Sequence, residues 1–146
     1  MPLALLLQNS ILLGDSTIAS YLGQIELSNL SWTLKSRALS GTSPTVDLFN
    51  VSYNINASVS SAFLACSSLQ DIGTIIITEI NTTNSKSFFS RYTLGHCRIN
   101  TIDMSLAIPD NTQIQLSLSY STMKVERTVT APNGQQTVIS SDTISF

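Results

Sequence analysis

Few residues in this 146-residue chain could do chemistry, and their spacing argues against most of it. His96 is the only histidine. A zinc site would need Cys66, Cys97 and a carboxylate to converge on it, and the three are not placed at any known ligand spacing. A Ser–His–Asp triad has material in the abundant serines and in nearby Asp103, but the GxSxG elbow that would expose a nucleophilic serine is missing. The carboxylates Asp15, Glu26, Asp47, Asp71, Glu79, Asp103, Asp110, Glu126 and Asp142 are scattered, so an acid–base pair has no sequence support. Gly14 and Gly23 build no phosphate-binding loop. Sequons at Asn29, Asn50, Asn56 and Asn81 are what chance produces in a chain this rich in Asn, Ser and Thr, and two of them fall in expected strands. The expectation is a protein that catalyses nothing and holds no cofactor or metal.

Composition points to the class that remains. Hydrophobic residues make up 42% and charged residues only 11%. That is too apolar and too weakly charged for a disordered chain, and long enough for one domain with its own core, expected over residues 1–146. The net charge of −2, with no basic cluster, excludes binding driven by phosphate neutralisation. Low charge also suits a subunit covered by its neighbours. Cys66 and Cys97 stand far apart outside any CxxC motif and read as small buried hydrophobes, with a single disulfide as the alternative. The apolar start, residues 1–14, lacks a positive n-region and is broken by Gln8, Asn9 and Ser10, so it reads as a buried strand rather than a signal peptide. No stretch has the ~20 apolar residues of a membrane span.

Period-two alternation dominates the rest. Between 25 and 34, Glu26, Ser28, Leu30, Trp32 and Leu34 share one face, and Ile25, Leu27, Asn29, Ser31 and Thr33 the other. Between 113 and 121, Ile114, Leu116, Leu118 and Tyr120 alternate with Gln113, Gln115, Ser117 and Ser119, the mark of a half-buried strand. Beyond Thr122 the apolar phase moves to Met123 and Val125, which predicts a bulge near Ser121. Further strands are expected at 3–8, 46–53, 73–80, 87–94 with a continuation to 102, and 137–144. The run Ile75-Ile76-Ile77 reads as a central strand, and Pro132-Asn133-Gly134 as a hairpin turn. One helix stands out, with Val59, Ala62, Phe63 and Cys66 on a single stripe, Asn56 or Ser58 as its cap, and an end near Ser68. Residues 36–45, with Gly41 and Pro44, read as a long loop. The fold class is mainly β: a small β-barrel of two packed sheets with one short flanking helix.

The order of these segments resembles the haemolysin-coregulated protein (Hcp) family, the inner-tube subunit of type VI secretion systems. Gly14-Asp15-Ser16 follows the first strand as a similar turn does in the family. Ile25-Glu26-Leu27 leading to Ser31-Trp32 looks like its I-D-V…S-W strand. Val46-Asp47-Leu48 and Val51-Ser52-Tyr53 precede the helix, and Leu64-Ala65-Cys66-Ser67-Ser68 resembles its M-A-C-S-S helix end. Paired strands at 74–80 and 87–94 and a closing strand and hairpin from 114 to 146 complete the match. The chain departs from the family in its lower charge, in lacking a His within 21–24, and in the composition of 36–45, which is not glycine-rich.

The resemblance implies homo-hexameric rings stacked into a tube, driven out of the cell by a contracting sheath with a spike at its tip. Sheath, spike and baseplate proteins would be the partners, and small effector proteins the cargo of the lumen. It implies assembly in the bacterial cytoplasm and secretion without a cleaved signal peptide, membrane insertion or nucleic acid. On this reading Asn29, Ser31 and Thr33 face the lumen while Trp32, Phe63 and Cys66 pack in the core. Ser36, Arg37, Gly41, Thr42, Ser43 and Pro44 belong to a loop that reaches the next ring. A phage or phage-like tail-tube protein and a monomeric ligand-binding β-sandwich are the alternatives. The sandwich would display an exposed aromatic platform.

Overall fold

The computed structural model describes residues 3–14, 16–18, 21–32, 34–35, 45–46, 49–54, 59–81, 84–105, 113–130, 132–140 and 143–145. Eleven strands and one helix occur among them, in the order β1 Leu3–Gln8, β2 Ile25–Ser31, β3 Leu34–Lys35, β4 Thr45–Val46, β5 Phe49–Asn54, α1 Val59–Ser67, β6 Gly73–Asn81, β7 Asn84–Ser105, β8 Gln113–Ser119, β9 Thr122–Thr130, β10 Gln136–Ser140 and β11 Ile144–Ser145. Hydrogen bonding runs β7-β6-β1-β2-β5-β8 and returns to β7, closing a six-stranded barrel. Strands β9, β10 and β11 extend it beyond β7, and among the described residues β3 pairs with β4.

The closure depends on a bend in β7. Its first half pairs with β6 and β9, whereas residues from Arg98 to Ser105 pair with β8. At the bend His96 takes φ of +53°, a left-handed conformation rare outside glycine. Opposite it, Tyr120 and Ser121 interrupt the passage from β8 to β9, and Ser121 N–H donates to the Gly95 carbonyl at 3.0 Å. The buried side changes phase there, from Leu118 to Met123, as the shifted alternation predicts.

Alternation places Leu7, Ile25, Phe49, Val51, Tyr53, Ile75, Ile77, Ile99, Leu116 and Leu118 in one core, each 8% exposed or less. Burying side chains of this kind contributes about 1.5–3 kcal/mol each. The first strand is buried as expected, and its other face is used too: Leu6 packs with Ile80 under Tyr21. That covering segment is tied down where Gly14 N–H donates to the Gly23 carbonyl at 2.9 Å. A Cβ at Gly14 would collide with the Gln24 backbone, so only glycine permits the approach.

Three expectations need correction. First, the faces of β2 exchange part-way. The register with β5 shifts between Leu27 and Asn29, leaving Ser28 as an extra residue whose hydroxyl donates to the Ser52 carbonyl at 3.1 Å. Ile25 and Leu27 point inward before this bulge; Leu30 and Trp32 pack on the core after it. Second, the helix buries Ala62 and Ala65, with Cys66 half-buried, and leaves Phe63 43% exposed. Alanine at 62 and 65 lets α1 approach the barrel closely, while Phe63 lies at the rim with Ile102 and Met104 of β7. Third, the closing segment is two short strands, β10 and β11, rather than one. The expected strand over 46–53 is met at its two ends by β4 and β5, and residues 47 and 48 between them lie outside the described residues.

The helix stops where Leu69 adopts φ of +51° and Gln70 N–H returns to the Ala65 carbonyl at 2.9 Å, closing its end with a left-handed residue. Gly134, with φ of +86°, makes the expected β9–β10 turn, in which Gln135 N–H donates to Asn133 Oδ1 at 3.0 Å. The expected helix cap (Asn56 or Ser58), Thr33 and the loop residues Ser36, Arg37, Gly41, Thr42, Ser43 and Pro44 lie outside the described residues.

Candidate functional site

Groups capable of chemistry do not converge. His96 meets Asp71, not Asp103: its Nδ1 lies 3.2 Å from Asp71 Oδ2 at the surface. The Gly73 N–H donates to Asp71 Oδ1 at 2.8 Å, and this bond, helped by His96, holds the Asp71 carboxyl below its usual 3.8. No serine joins the pair through a described hydrogen bond. Burial pushes the Cys97 thiol up to about 12, so it is protonated and unreactive at neutral pH. Both cysteines are free. Among the described residues no group of His, Cys, Asp and Glu is placed to hold a metal ion.

What the fold does assemble is a surface. Strands β2, β5, β8 and the second half of β7 lie side by side, and their outward residues align in rows. Asn29, Ser52, Gln115 and Asp103 form one row; Ser31, Asn50, Ser117 and Thr101 form the next. Asn54, Gln113 and Ser105 continue it on three strands. Asp103 is the single charged side chain in these rows. The inward residues of the same strands are the core, including Phe49, Val51, Tyr53, Ile114, Leu116 and Leu118.

The rows are cross-linked by their own side chains. Ser117 Oγ donates to Asn50 Oδ1 at 2.8 Å and Gln113 Nε2 to Asn54 Oδ1 at 3.4 Å; beyond the rows, Ser119 Oγ donates to Asn100 Oδ1 at 2.8 Å, beside Arg98. Hydroxyls and amides carry both donors and acceptors, so the face stays wetted while satisfying part of its own hydrogen bonding. With Asp103 as their one charged side chain, the described rows project little electrostatic field.

Two of the expected lumen residues, Asn29 and Ser31, stand exposed on this face. Trp32 is half-buried against the core, stacked on Phe49 at 6.1 Å between ring centroids and edge-on to Tyr92 at 5.9 Å. Its rings are engaged with the core rather than presented as a free-standing exposed platform. The residues on β5 and β7 that complete the face went unnoticed in the sequence. The alternation of Asn50, Ser52 and Asn54 with Val51 and Tyr53 was the available signal.

The sequence profile described as type VI secretion system effector, Hcp, matches residues 6–126. The chain belongs to the Hcp family. Solved structures share its fold across almost the full length. A type VI secretion system effector from Yersinia pestis superposes with a TM-score of 0.81 at 14% identity, covering 97% of this chain and 99% of that one. Hcp1 from Salmonella typhimurium gives 0.79 at 19% identity, covering 97% and 95%. Hcp2 from the same organism gives 0.73 at 21% identity, covering 98% and 95%. No curated protein matches the chain significantly by sequence.

Proposed function

We propose that this chain is a structural, non-catalytic subunit of a type VI secretion tube, closing into hexameric rings whose lumen is lined by the polar face of β2, β5, β8 and β7. The observation that carries the reading is that face itself. A barrel needs one apolar side for its core, and a wetted channel needs an opposite side that water can coat without holding cargo tightly. Here the two sides belong to the same four strands. Rows of Ser, Thr, Asn and Gln offer many exchangeable hydrogen bonds and no clustered charge, so an effector protein can be enclosed and released again.

In this account rings stack into the tube, the sheath drives it outward, and spike and baseplate set where it begins. The protein is made in the bacterial cytoplasm and leaves with the machine. Family membership and the agreement of fold with Hcp structures support the reading. Light scattering after size exclusion, with negative-stain imaging of the peak, tests it. The expected result is a closed ring of hexameric mass with a central hole. A monomer at every concentration tried, and when supplied with sheath and baseplate components, overturns it.

A further inference from the structure

The outward rows carry one side chain that the wetting role leaves unexplained. Asp103 stands exposed on the second half of β7, opposite Gln115 of β8, and among the described residues its carboxylate makes no hydrogen bond or ion pair. Beside it lies a pocket of about 120 Å³ whose polar lining is Ser52, Asp103, Ser105, Gln113 and Gln115. The register explains that lining: Ser52, Gln115 and Asp103 are one row, and Gln113 and Ser105 belong to the next. A carboxylate among amide and hydroxyl oxygens is an acceptor-rich cup. An ammonium brings three donors to it and a guanidinium five, whereas the carboxylate repels an anion.

No cation in the rows competes for this carboxylate. Of the seven Lys and Arg in the chain, Arg98 alone falls within β2, β5, β8 or the second half of β7. It pairs in register with Ser119, beyond the row of Thr101, and its guanidinium donates to the Leu69 carbonyl at the end of α1. Residues 106–112, which connect β7 to β8, include no Lys or Arg either. A basic side chain that meets the described rows therefore finds a charged partner at Asp103, and an acidic side chain finds none.

We propose that Asp103 and its pocket are a subsite for a lysine or arginine side chain of an enclosed effector protein, so that the tube favours cargo with a basic segment. This rests on the ring-subunit reading above and deepens it by naming the class of cargo. Rotational closure repeats the subsite once per subunit, which turns an isolated carboxylate into a belt around the lumen. Rings of carboxylates select cations in pores on the same principle. One exposed ion pair changes binding only about two- to fivefold, and the belt multiplies that because one cargo meets several copies. Each contact stays weak and wet, so the cargo is still released.

The test compares the full-length wild type with Asp103→Asn, which removes the charge and keeps the shape, and with Asp103→Glu, which keeps the charge. Glu79→Gln makes the same change in net charge on β6, outside the four strands of the face. Light scattering first establishes the ring in each protein. Fluorescence anisotropy then follows a labelled hexalysine peptide, and hexaglutamate with the same label, in low salt and in about 300 mM NaCl. Wild type, Asp103→Glu and Glu79→Gln should bind hexalysine in low salt and ignore hexaglutamate. Asp103→Asn should bind hexalysine at least about tenfold more weakly, and added salt should erase the difference. Equal hexalysine binding by Asp103→Asn rings, or an equal loss in Glu79→Gln, overturns the subsite and leaves the ring-subunit reading in place. An Asp103→Asn chain that no longer forms rings assigns the residue to assembly and also overturns it. A wild type that never forms rings removes both readings.

Discussion

Asn9 is the residue on which the end of β1 is most heavily tied. Its side chain is 7% exposed and makes four hydrogen bonds. Nδ2 donates to the carbonyls of Ile72 and Thr74, both at 3.0 Å, and Oδ1 accepts from the N–H groups of Ile11 and Leu12 at 2.9 and 3.0 Å. One amide thus joins the turn after β1 to the start of β6, more than sixty residues away. Asn9→Ala removes all four bonds and strands buried backbone groups. At about 1 kcal/mol net per bond, reduced where the partners are half-exposed, the loss should be about 3 kcal/mol. That is a large share of the ~5–15 kcal/mol typical of a domain. Asn9→Asp keeps the acceptor but turns a carboxylate oxygen toward two carbonyls. It should cost at least as much at neutral pH and less at pH 4, where protonation restores one donor. Urea unfolding followed by the emission of Trp32, the only tryptophan, measures both by linear extrapolation. A loss below about 1 kcal/mol in both variants would refute the keystone role.

Trp32→Ala should destabilise by about 2–3 kcal/mol, below the 3–5 of a fully buried tryptophan because Trp32 is half-buried; far-UV circular dichroism in urea reads it, and a loss under about 1 contradicts the stacking on Phe49. One thiol, Cys66, should react with a thiol reagent in the native chain, and Cys97 only on unfolding, since it is 0% exposed and its pKa lies at about 12; two equally fast thiols would contradict the packing. Asp71 has a folded pKa below its ordinary 3.8. Its contribution is therefore present above that value and lost as pH falls through the lowered one. Asp71→Asn should flatten the acid loss of stability in that window, seen in urea midpoints across pH 5 to 2.5, and an unchanged slope would count against the pairing with Gly73 and His96.

Much of this architecture is written locally in the chain. Leu3–Gln8, the phase change around Ser121 and the Asn133-Gly134 turn follow from neighbouring residues alone, because alternation and turn chemistry act over a few positions. The bulge at Ser28 was not legible. An alternating polar stretch accepts an extra residue without visible trace, and only the Ser52 carbonyl on β5 reveals where it goes. The helix stripe was misread at Phe63 because hydrophobicity ranks phenylalanine above alanine, whereas the gap beside β7 selects for Ala62 and Ala65 by size. The polar face was legible strand by strand but not as a surface. Asn50 bonds Ser117 across 67 positions, and no local pattern encodes which strands become neighbours.

The most direct measurement of the central claim is an averaged electron-microscopy density of the assembled ring, at a resolution that separates strands from helix. The account predicts a hole lined by β2, β5, β8 and the second half of β7, with Asn29, Ser31, Gln115 and Asp103 toward its axis. A hole lined by α1, or by the outward side of β1 and β6, would contradict it.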